Sequence, residues 1–221
     1  MELTTIKGRC TLNMWHGDCM EALREMDAGR YSLGLVDPPY GKTCRLSCVK
    51  AGKNGYADYW GKITDKGNWN IAPKKEYFDE LARVSKNHII WGANHYPQHL
   101  KPSSGWILWD KGQRDFSFSD GELAYSSFQR KLKIVTIHRA ELHKENREHP
   151  NQKPVKLYKW LLTNYAKTGD KILDTHGGSL SLAIACWDLG FDLDVWELDN
   201  DYYRAGVARV RRHTAQGQFD I

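Results

Sequence analysis

The 221 residues suffice for one α/β domain with a substantial core but are short for two, and the net charge of +5 permits a nucleic-acid partner. No apolar run approaches the roughly 18 residues of a membrane span, and the first residues lack a signal-peptide pattern, so we expect a cytoplasmic protein. The five cysteines form no Cys-x-x-Cys pair, which favours reduced thiols over a metal site.

The amino-terminal residues 1–17 are predicted to form a leading strand or hairpin. Asp18 with Glu21 three residues later is typical of a capping box, and it predicts a helix that ends near Met26. The structural interpretation of Asp18 is therefore a helix N-cap.

An apolar run from Leu33 to Val36 predicts a short buried strand, which Asp37-Pro38-Pro39-Tyr40 then ends. Each proline holds the residue before it extended. Residues 37–40, here called the tip, would offer the Asp37 carboxylate and an outward-facing Pro38 carbonyl. These two acceptors suit an amino group with two hydrogens. The ring of Tyr40 beside them suits the face of a nucleobase. The alternative is a plain strand followed by a Pro-Pro turn.

Residues 42–75 carry eight lysines and arginines against two acids, and glycines and aromatic residues interrupt them. A solvated surface excursion is one interpretation. We favour a basic loop that follows nucleic-acid phosphates. Its candidate contacts are Lys42, Arg45, Lys50 and Lys53.

The middle of the chain alternates helical and extended patterns. Apolar spacing predicts a helix over residues 74–85, and strands over residues 88–91 and 106–109 whose tryptophans lie in the core. Residues 122–137 are predicted to contain a further strand pair. Arg130, Lys131 and Lys133 are predicted at its turn.

Gln152-Lys153-Pro154 is predicted to open a helix, because proline is tolerated in a first turn. Exposed N–H groups and the Lys153 ammonium at a helix start suit a carboxylate.

A strand from Lys171 to Asp174 runs into Gly177-Gly178-Ser179, and a second strand ends at Glu197. Strand, glycine turn, helix, strand and acid make a nucleotide-binding βαβ unit, in which Glu197 would bind ribose hydroxyls. Leucine disfavours positive φ, so we predict that the chain is helical from Leu180 onward.

Three segments in this order, Asp37-Pro38-Pro39-Tyr40, His149-Pro-Asn-Gln-Lys-Pro154 and the glycine turn, resemble the S-adenosylmethionine-dependent amino-methyltransferases of bacteria and phages. These enzymes modify adenine N6 or cytosine N4 in DNA. The resemblance implies a Rossmann-like α/β fold with a twisted, mostly parallel sheet flanked by helices. The motif order resembles the circularly permuted β-type, as one methyltransferase domain over residues 1–221.

The resemblance also implies site residues. The catalytic residues would be Asp37, Pro38, Pro39 and Tyr40. S-adenosylmethionine would be bound by Asp18, Lys153, Pro154, Asp174, Gly177, Gly178, Ser179 and Glu197, and no metal is expected. Residues 110–148 would recognise the DNA target, with Arg130 and Lys131 as contacts. The sequence departs from the family at Thr175 and His176, where Pro-Phe is usual, and at Leu180, where glycine is usual.

The expected reaction is methylation of adenine N6 in double-stranded DNA with base flipping. Adenine is favoured over cytosine N4 because an acid opens the tetrapeptide. The alternatives are cytosine-N4 methylation, methylation of RNA or protein, and an inactive nucleic-acid-binding module of the same fold. The last residues, Gln216 to Ile221, faintly resemble a sliding-clamp-binding peptide and otherwise form a disordered end.

Overall fold

The chain starts with a hairpin and a capped helix. In a computed structural model, which describes residues 1–41, 71–114, 119–138, 141 and 152–216, β1 (Glu2–Lys7) pairs antiparallel with β2 (Thr11–His16). The helix α1 (Cys19–Glu25) follows, and the Asp18 carboxylate accepts a hydrogen bond of 2.9 Å from the Met20 N–H. The predicted hairpin and N-cap are both confirmed.

Several predictions from the sequence lie outside the described residues. They are the phosphate contacts Lys42, Arg45, Lys50 and Lys53, the segment His149–Asn151, and the tail beyond Gln216.

The next elements build the middle of the sheet. They are β3 (Tyr31–Val36), α2 (Lys75–Val84), β4 (Ser85–Trp91) and β5 (Ile107–Asp110). The side chains of Trp91 and Trp109 are buried in the core, as their strand positions predict. Trp106 differs from the prediction, because it precedes β5 and is only partly buried.

The region of residues 122–137 differs from the prediction. Both strands are present, as β6 (Gly121–Ser126) and β7 (Lys133–Thr136), but they do not pair with each other. β6 pairs with β4 on one side and with β5 on the other, so it has no open edge for β7. β7 pairs instead with the open edge of β5, and these two strands are parallel. Lys133 therefore begins a strand instead of lying in a turn, and both segments belong to the sheet.

The carboxyl-terminal part contains the predicted βαβ unit. Its elements are α3 (Val155–Tyr165), β8 (Lys171–Asp174), α4 (Ser181–Leu189), β9 (Asp192–Glu197) and α5 (Asn200–Gln216).

The strand order brings distant parts of the sequence together. In the described part of the chain the sheet has the order β1-β2-β9-β8-β3-β4-β6-β5-β7. β3 and β8 are parallel neighbours, with Gly34 opposite Leu173. Because parallel strands end at the same edge, the segment after Val36 lies beside the turn after Asp174.

Apolar side chains cover both faces of the sheet. One cluster includes Leu157, Leu182 and Val207 from α3, α4 and α5. The other includes Leu23 and Leu81 from α1 and α2. The rigid sheet thus lies between two helical layers and fixes the positions of its strand ends.

Within the described ranges, no helix combines the length and apolar composition that a bilayer crossing requires. The same residues contain no group of three or more His, Cys, Asp or Glu side chains placed to hold a metal ion.

Candidate active site at the carboxyl edge of the sheet

A cavity of about 480 Å³ lies where β3, β8 and β9 end. Ten of the predicted catalytic and cofactor residues line it: Asp18, Asp37, Pro38, Pro39, Tyr40, Lys153, Gly177, Gly178, Ser179 and Glu197. Pro154 and Asp174 are not among its lining residues. The volume falls in the range of about 300–1,000 Å³ that is usual for small-molecule sites.

The Asp37 carboxylate has a partner on each oxygen. Tyr40 donates its hydroxyl to Oδ1 over 2.8 Å, and the Lys153 ammonium donates to Oδ2. Burial raises the pKa of Asp37, and the charge of Glu122 adds to the rise, while Lys153 opposes it. The Asp37 side chain is 16% exposed, so it remains in reach of a ligand in the cavity.

The sequence led us to expect an outward-facing Pro38 carbonyl without a partner, but in the structure this carbonyl already has one. It accepts a hydrogen bond of 3.0 Å from the buried Tyr96 hydroxyl. A carbonyl oxygen has two lone pairs, so one acceptor position remains for a ligand. Tyr96 follows β4, and no local sequence pattern links it to Pro38.

The Tyr40 ring is held in place from one side. It stacks on His95 with 4.8 Å between ring centroids. A Cβ atom on Gly92 would lie 2.0 Å from Tyr40 Cε1, so this ring position requires glycine there.

Lys153 and Glu122 complete an ionic cluster that the sequence did not reveal. The Lys153 ammonium, almost fully buried, lies 3.2 Å from Glu122 Oε2 as well as against Asp37. Lys111 binds the other Glu122 oxygen at 2.8 Å. Burial alone would raise the pKa of Glu122, but the two ammonium groups lower it to about 2. Lys153 was predicted to bind a ligand carboxylate. In this structure its carboxylate partners come from the protein.

The turn after β8 contradicts the prediction for Leu180. Leu180 has φ 55° and ψ 31°, the left-handed conformation, and α4 begins only at Ser181. Its N–H donates to the Gly177 carbonyl over 2.8 Å, and its side chain is 1% exposed. Gly206 on α5 leaves room for that side chain, because a Cβ there would lie 2.8 Å from Leu180 Cγ. Burial of the leucine side chain therefore offsets the backbone strain.

Glu197 closes the glycine turn from β9. Its Oε2 accepts from the Gly178 N–H at 2.6 Å, and its Oε1 accepts from the Asp199 N–H at 2.8 Å. The Leu198 N–H also contributes to this carboxylate, which lines the cavity and keeps acceptor capacity for hydroxyl groups there.

Asp174 supports the glycine turn and does not line the cavity. Its carboxylate accepts from the His176 N–H over 3.0 Å, and burial raises its pKa to about 8. It is therefore mostly protonated at pH 7 and supports the turn from behind the cavity wall.

The departures at Thr175 and His176 place a polar chain in the cavity wall. The hydroxyls of Tyr77 and Thr175 are 2.7 Å apart, and Thr175 Oγ1 is 2.9 Å from His176 Nδ1. Burial lowers the pKa of His176 to about 4, so the imidazole is neutral at pH 7. Tyr77 comes from α2, so no local sequence pattern predicts these hydrogen bonds; the only signal is that Thr175 and His176 replace the usual Pro-Phe.

The predicted DNA contacts Arg130 and Lys131 are both exposed. The Arg130 guanidinium packs over the Tyr165 ring and donates to the Asn164 carbonyl over 2.7 Å. These partners end α3, whereas Lys153 precedes it. An 11-residue helix is about 16 Å long, so Arg130 and Lys153 lie at opposite ends of α3.

Comparison with known proteins assigns a family to this arrangement. The sequence model of the DNA methylase family N6_N4_Mtase matches residues 48–207. The chain belongs to this DNA methylase family. The match covers the glycine turn and Glu197 but begins after Asp37-Pro38-Pro39-Tyr40. No curated protein sequence matches the chain significantly.

Solved structures show the same fold for the DNA methylase. The complex of M1.HpyAVI with SAM is 16% identical, with a TM-score of 0.58 over 90% of this chain and 98% of that one. TTHA0409 from Thermus thermophilus, complexed with S-adenosyl-L-methionine, is 17% identical, with a TM-score of 0.58 over 90% and 95%. PvuII DNA methyltransferase, which is cytosine-N4-specific, is 12% identical, with a TM-score of 0.58 over 92% and 90%. The Rossmann-like methyltransferase fold, with a mostly parallel sheet between helices, is thus confirmed.

Proposed function

We propose that the protein transfers a methyl group from S-adenosylmethionine to the exocyclic N6 of adenine in double-stranded DNA. The observation that carries this proposal is the shared cavity that joins the Asp37 tip to the glycine turn. A substrate amino group bound at Asp37 and Pro38 and a cofactor bound at the glycine turn would therefore lie in the same cavity.

The residues of the cavity fit S-adenosylmethionine. Glu197 offers acceptor positions for ribose hydroxyls, and the exposed Asp18 carboxylate at the start of α1 offers one for the adenine amino group. Gly177 and Gly178 let the backbone approach the cofactor. M1.HpyAVI and TTHA0409, which share the fold, were crystallised with this compound. When bound, it supplies a methyl group on a positively charged sulfur that leaves as a neutral thioether.

Asp37 and the Pro38 carbonyl act on the substrate amino group. The nitrogen lone pair of such a group is delocalised into the base, which makes it a poor nucleophile. Hydrogen bonds from its two hydrogens to Asp37 and Pro38 favour a tetrahedral nitrogen with a localised lone pair. Asp37 then accepts the proton that the methylated nitrogen loses, and it passes the proton to solvent.

Tyr40 would hold the base. It lines the cavity, and His95 fixes its ring from one face, so an extruded base can stack on it. Residues 42–75 would follow the DNA phosphates, and the aspartate at the first position of the tetrapeptide supports adenine over cytosine. The motif order supports the permuted β-type of one methyltransferase domain.

The test is direct identification of the product. Duplex DNA is incubated with methyl-labelled S-adenosylmethionine and digested to nucleosides, which are separated by mass spectrometry. We expect N6-methyladenine from the wild type and none from Asp37→Ala, a loss of at least about 100-fold. Asp79→Ala is the matched control, because Asp79 is an exposed acid whose partner is Lys75 on the same helix.

Other products would assign another function. N4-methylcytosine would overturn the choice of adenine, and labelling of structured RNA or a peptide in place of DNA would overturn the substrate class. Cofactor binding in calorimetry without transfer to any of these substrates would indicate a binding module.

A further inference from the structure

We propose that Glu122 is a positioning residue that shares the Lys153 ammonium with Asp37 and so keeps the Asp37 carboxylate available to the substrate amino group. This inference rests on the proposed function of Asp37. It concerns a residue outside the cavity wall, on a strand two positions away from β3 in the sheet.

The first observation is that each oxygen of the Asp37 carboxylate already has a donor in this structure. Tyr40 binds Oδ1 and Lys153 binds Oδ2. An ammonium held by one carboxylate alone in a buried site forms a tight ion pair, which makes that carboxylate a weaker base and a poorer acceptor. A lysine paired only with Asp37 would therefore work against the chemistry proposed for the tip.

The second observation is that Lys153 has another carboxylate within reach. Glu122 Oε2 lies 3.2 Å from the same ammonium, whose side chain is 2% exposed and has little access to water. Lys111 neutralises the other side of Glu122 at 2.8 Å, so the second carboxylate stays ionised beside Lys153.

Together these contacts place one buried ammonium between two carboxylates. When an amino group donates to Asp37, Lys153 can keep its hydrogen bond to Glu122 and lose only the bond to Asp37. The negative charge of Glu122 also opposes the effect of Lys153 on Asp37, which keeps Asp37 more basic. Glu122 thus sets both the position of Lys153 and the basicity of Asp37 without contacting the substrate.

Four other titratable groups near Asp37 are held in their neutral forms by burial; one is His95, which stacks on Tyr40 and whose pKa burial lowers. Burial raises the pKa values of Tyr40 and Tyr158 well above their ordinary range, and it raises the pKa of Asp174 to about 8. The charges that decide the behaviour of Asp37 are therefore those of Lys153, Glu122 and, through Glu122, Lys111.

The test uses two substitutions with opposite predicted signs. Glu122→Gln keeps an oxygen for Lys153 but removes the negative charge that raises the pKa of Asp37, so that pKa should fall. Lys111→Gln leaves Glu122 less neutralised, so the pKa of Asp37 should rise. Glu80→Gln is the matched control, because Glu80 is a half-buried glutamate that pairs with Arg83 on α2 and does not line the cavity.

The first measurement needs no activity. Carboxyl carbon-13 NMR titration of the full chain gives the pKa of Asp37, assigned by comparison with Asp37→Asn. Opposite displacements in Glu122→Gln and Lys111→Gln support the proposal. Displacements in the same direction, or none in either variant, overturn it whether or not the protein methylates DNA.

The second measurement is the single-turnover methylation rate against pH. The rate requires ionised Asp37, so the acid side of the profile should move to lower pH in Glu122→Gln and to higher pH in Lys111→Gln. The plateau rate of Glu122→Gln should fall about three- to tenfold, because a weaker base accepts the proton less readily. Its affinity for S-adenosylmethionine should stay within about twofold. A lower plateau with an unmoved acid side, or with an equal loss of cofactor affinity, would mean that Glu122 only supports the fold. A wild type inactive on DNA would instead refute the proposed function.

Discussion

Replacing Leu180 by glycine tests why a leucine can occupy a left-handed turn at the candidate active site. The backbone at Leu180 has φ 55°, which glycine adopts freely. Glycine therefore removes strain of about 1–2 kcal/mol at this position. The same change deletes a side chain that is 1% exposed and packed in the core.

The loss of packing outweighs the relief of strain. Truncation of a buried leucine costs about 2–5 kcal/mol. Leu180→Gly should therefore lower the free energy of unfolding by roughly 1–3 kcal/mol, although glycine is the backbone's preferred residue. Leu180→Ala loses nearly the same packing and keeps the strain, so it should be less stable than Leu180→Gly by about 1 kcal/mol. That order is the reverse of the usual one for alanine and glycine.

The assay is urea unfolding, with thermal midpoints as a second measure. The two variants should differ by about 3 °C, since 1 kcal/mol moves the midpoint of a chain this long by roughly 2–4 °C. Leu189→Ala is the control, because Leu189 is a leucine of the adjoining helix that is 41% exposed. An alanine variant as stable as the glycine variant would refute the claim that Leu180 is strained.

A second substitution examines the packing directly. Gly206→Ala should destabilise the wild type, because the new Cβ would lie 2.8 Å from Leu180 Cγ. In the Leu180→Gly background that space is open, and alanine should stabilise α5 by up to about 1 kcal/mol. Additive effects of the two changes would contradict the proposed contact.

Two further predictions follow from the buried hydrogen bonds of the site. Tyr96→Phe removes the hydrogen-bond donor to the Pro38 carbonyl. The free energy of unfolding should fall by about 1 kcal/mol, and the single-turnover methylation rate should fall by roughly three- to tenfold. An unchanged rate would show that Tyr96 does not position the tip. Asp174→Asn should gain stability over the wild type as pH rises from 5 to 8. The folded carboxyl holds its proton up to about pH 8 whereas the unfolded one loses it near pH 4, so the wild type alone loses stability over this window, by a few kcal/mol. Urea unfolding at both pH values measures this, and parallel behaviour of the two proteins would show that Asp174 is not held protonated.

Much of the fold could be predicted because its signals are local. The capping aspartate, the apolar run before Asp37 and the strand–turn–helix–strand pattern up to Glu197 each lie within a short stretch. Parallel strands end at one edge of a sheet, and this rule alone brings the segments after β3 and β8 together. Residues 37–40 and most of the predicted cofactor residues were therefore expected to share a site, and the structure places them in one cavity.

The partners of the site residues could not be predicted in the same way. Glu122 and Tyr96 carry no motif, and their contacts to Lys153 and Pro38 depend on the order of strands in the sheet. The prediction that β6 and β7 pair with each other was wrong for the same reason, since the order of all the strands in the sheet decides which strands are neighbours.

The glycine turn illustrates how tertiary contacts override a local preference. Leu180 was predicted to be helical because an isolated leucine avoids positive φ, yet Gly206 on a different helix leaves a buried space for its side chain. Thr175, which stands where proline is usual, likewise finds the Tyr77 hydroxyl of α2. These two departures from the family pattern thus each have a compensating partner far away in the sequence. These partners hold the turn that carries Gly177 and Gly178 past the cavity, so a sequence that departs from the family pattern at these positions still lines a cavity of about 480 Å³.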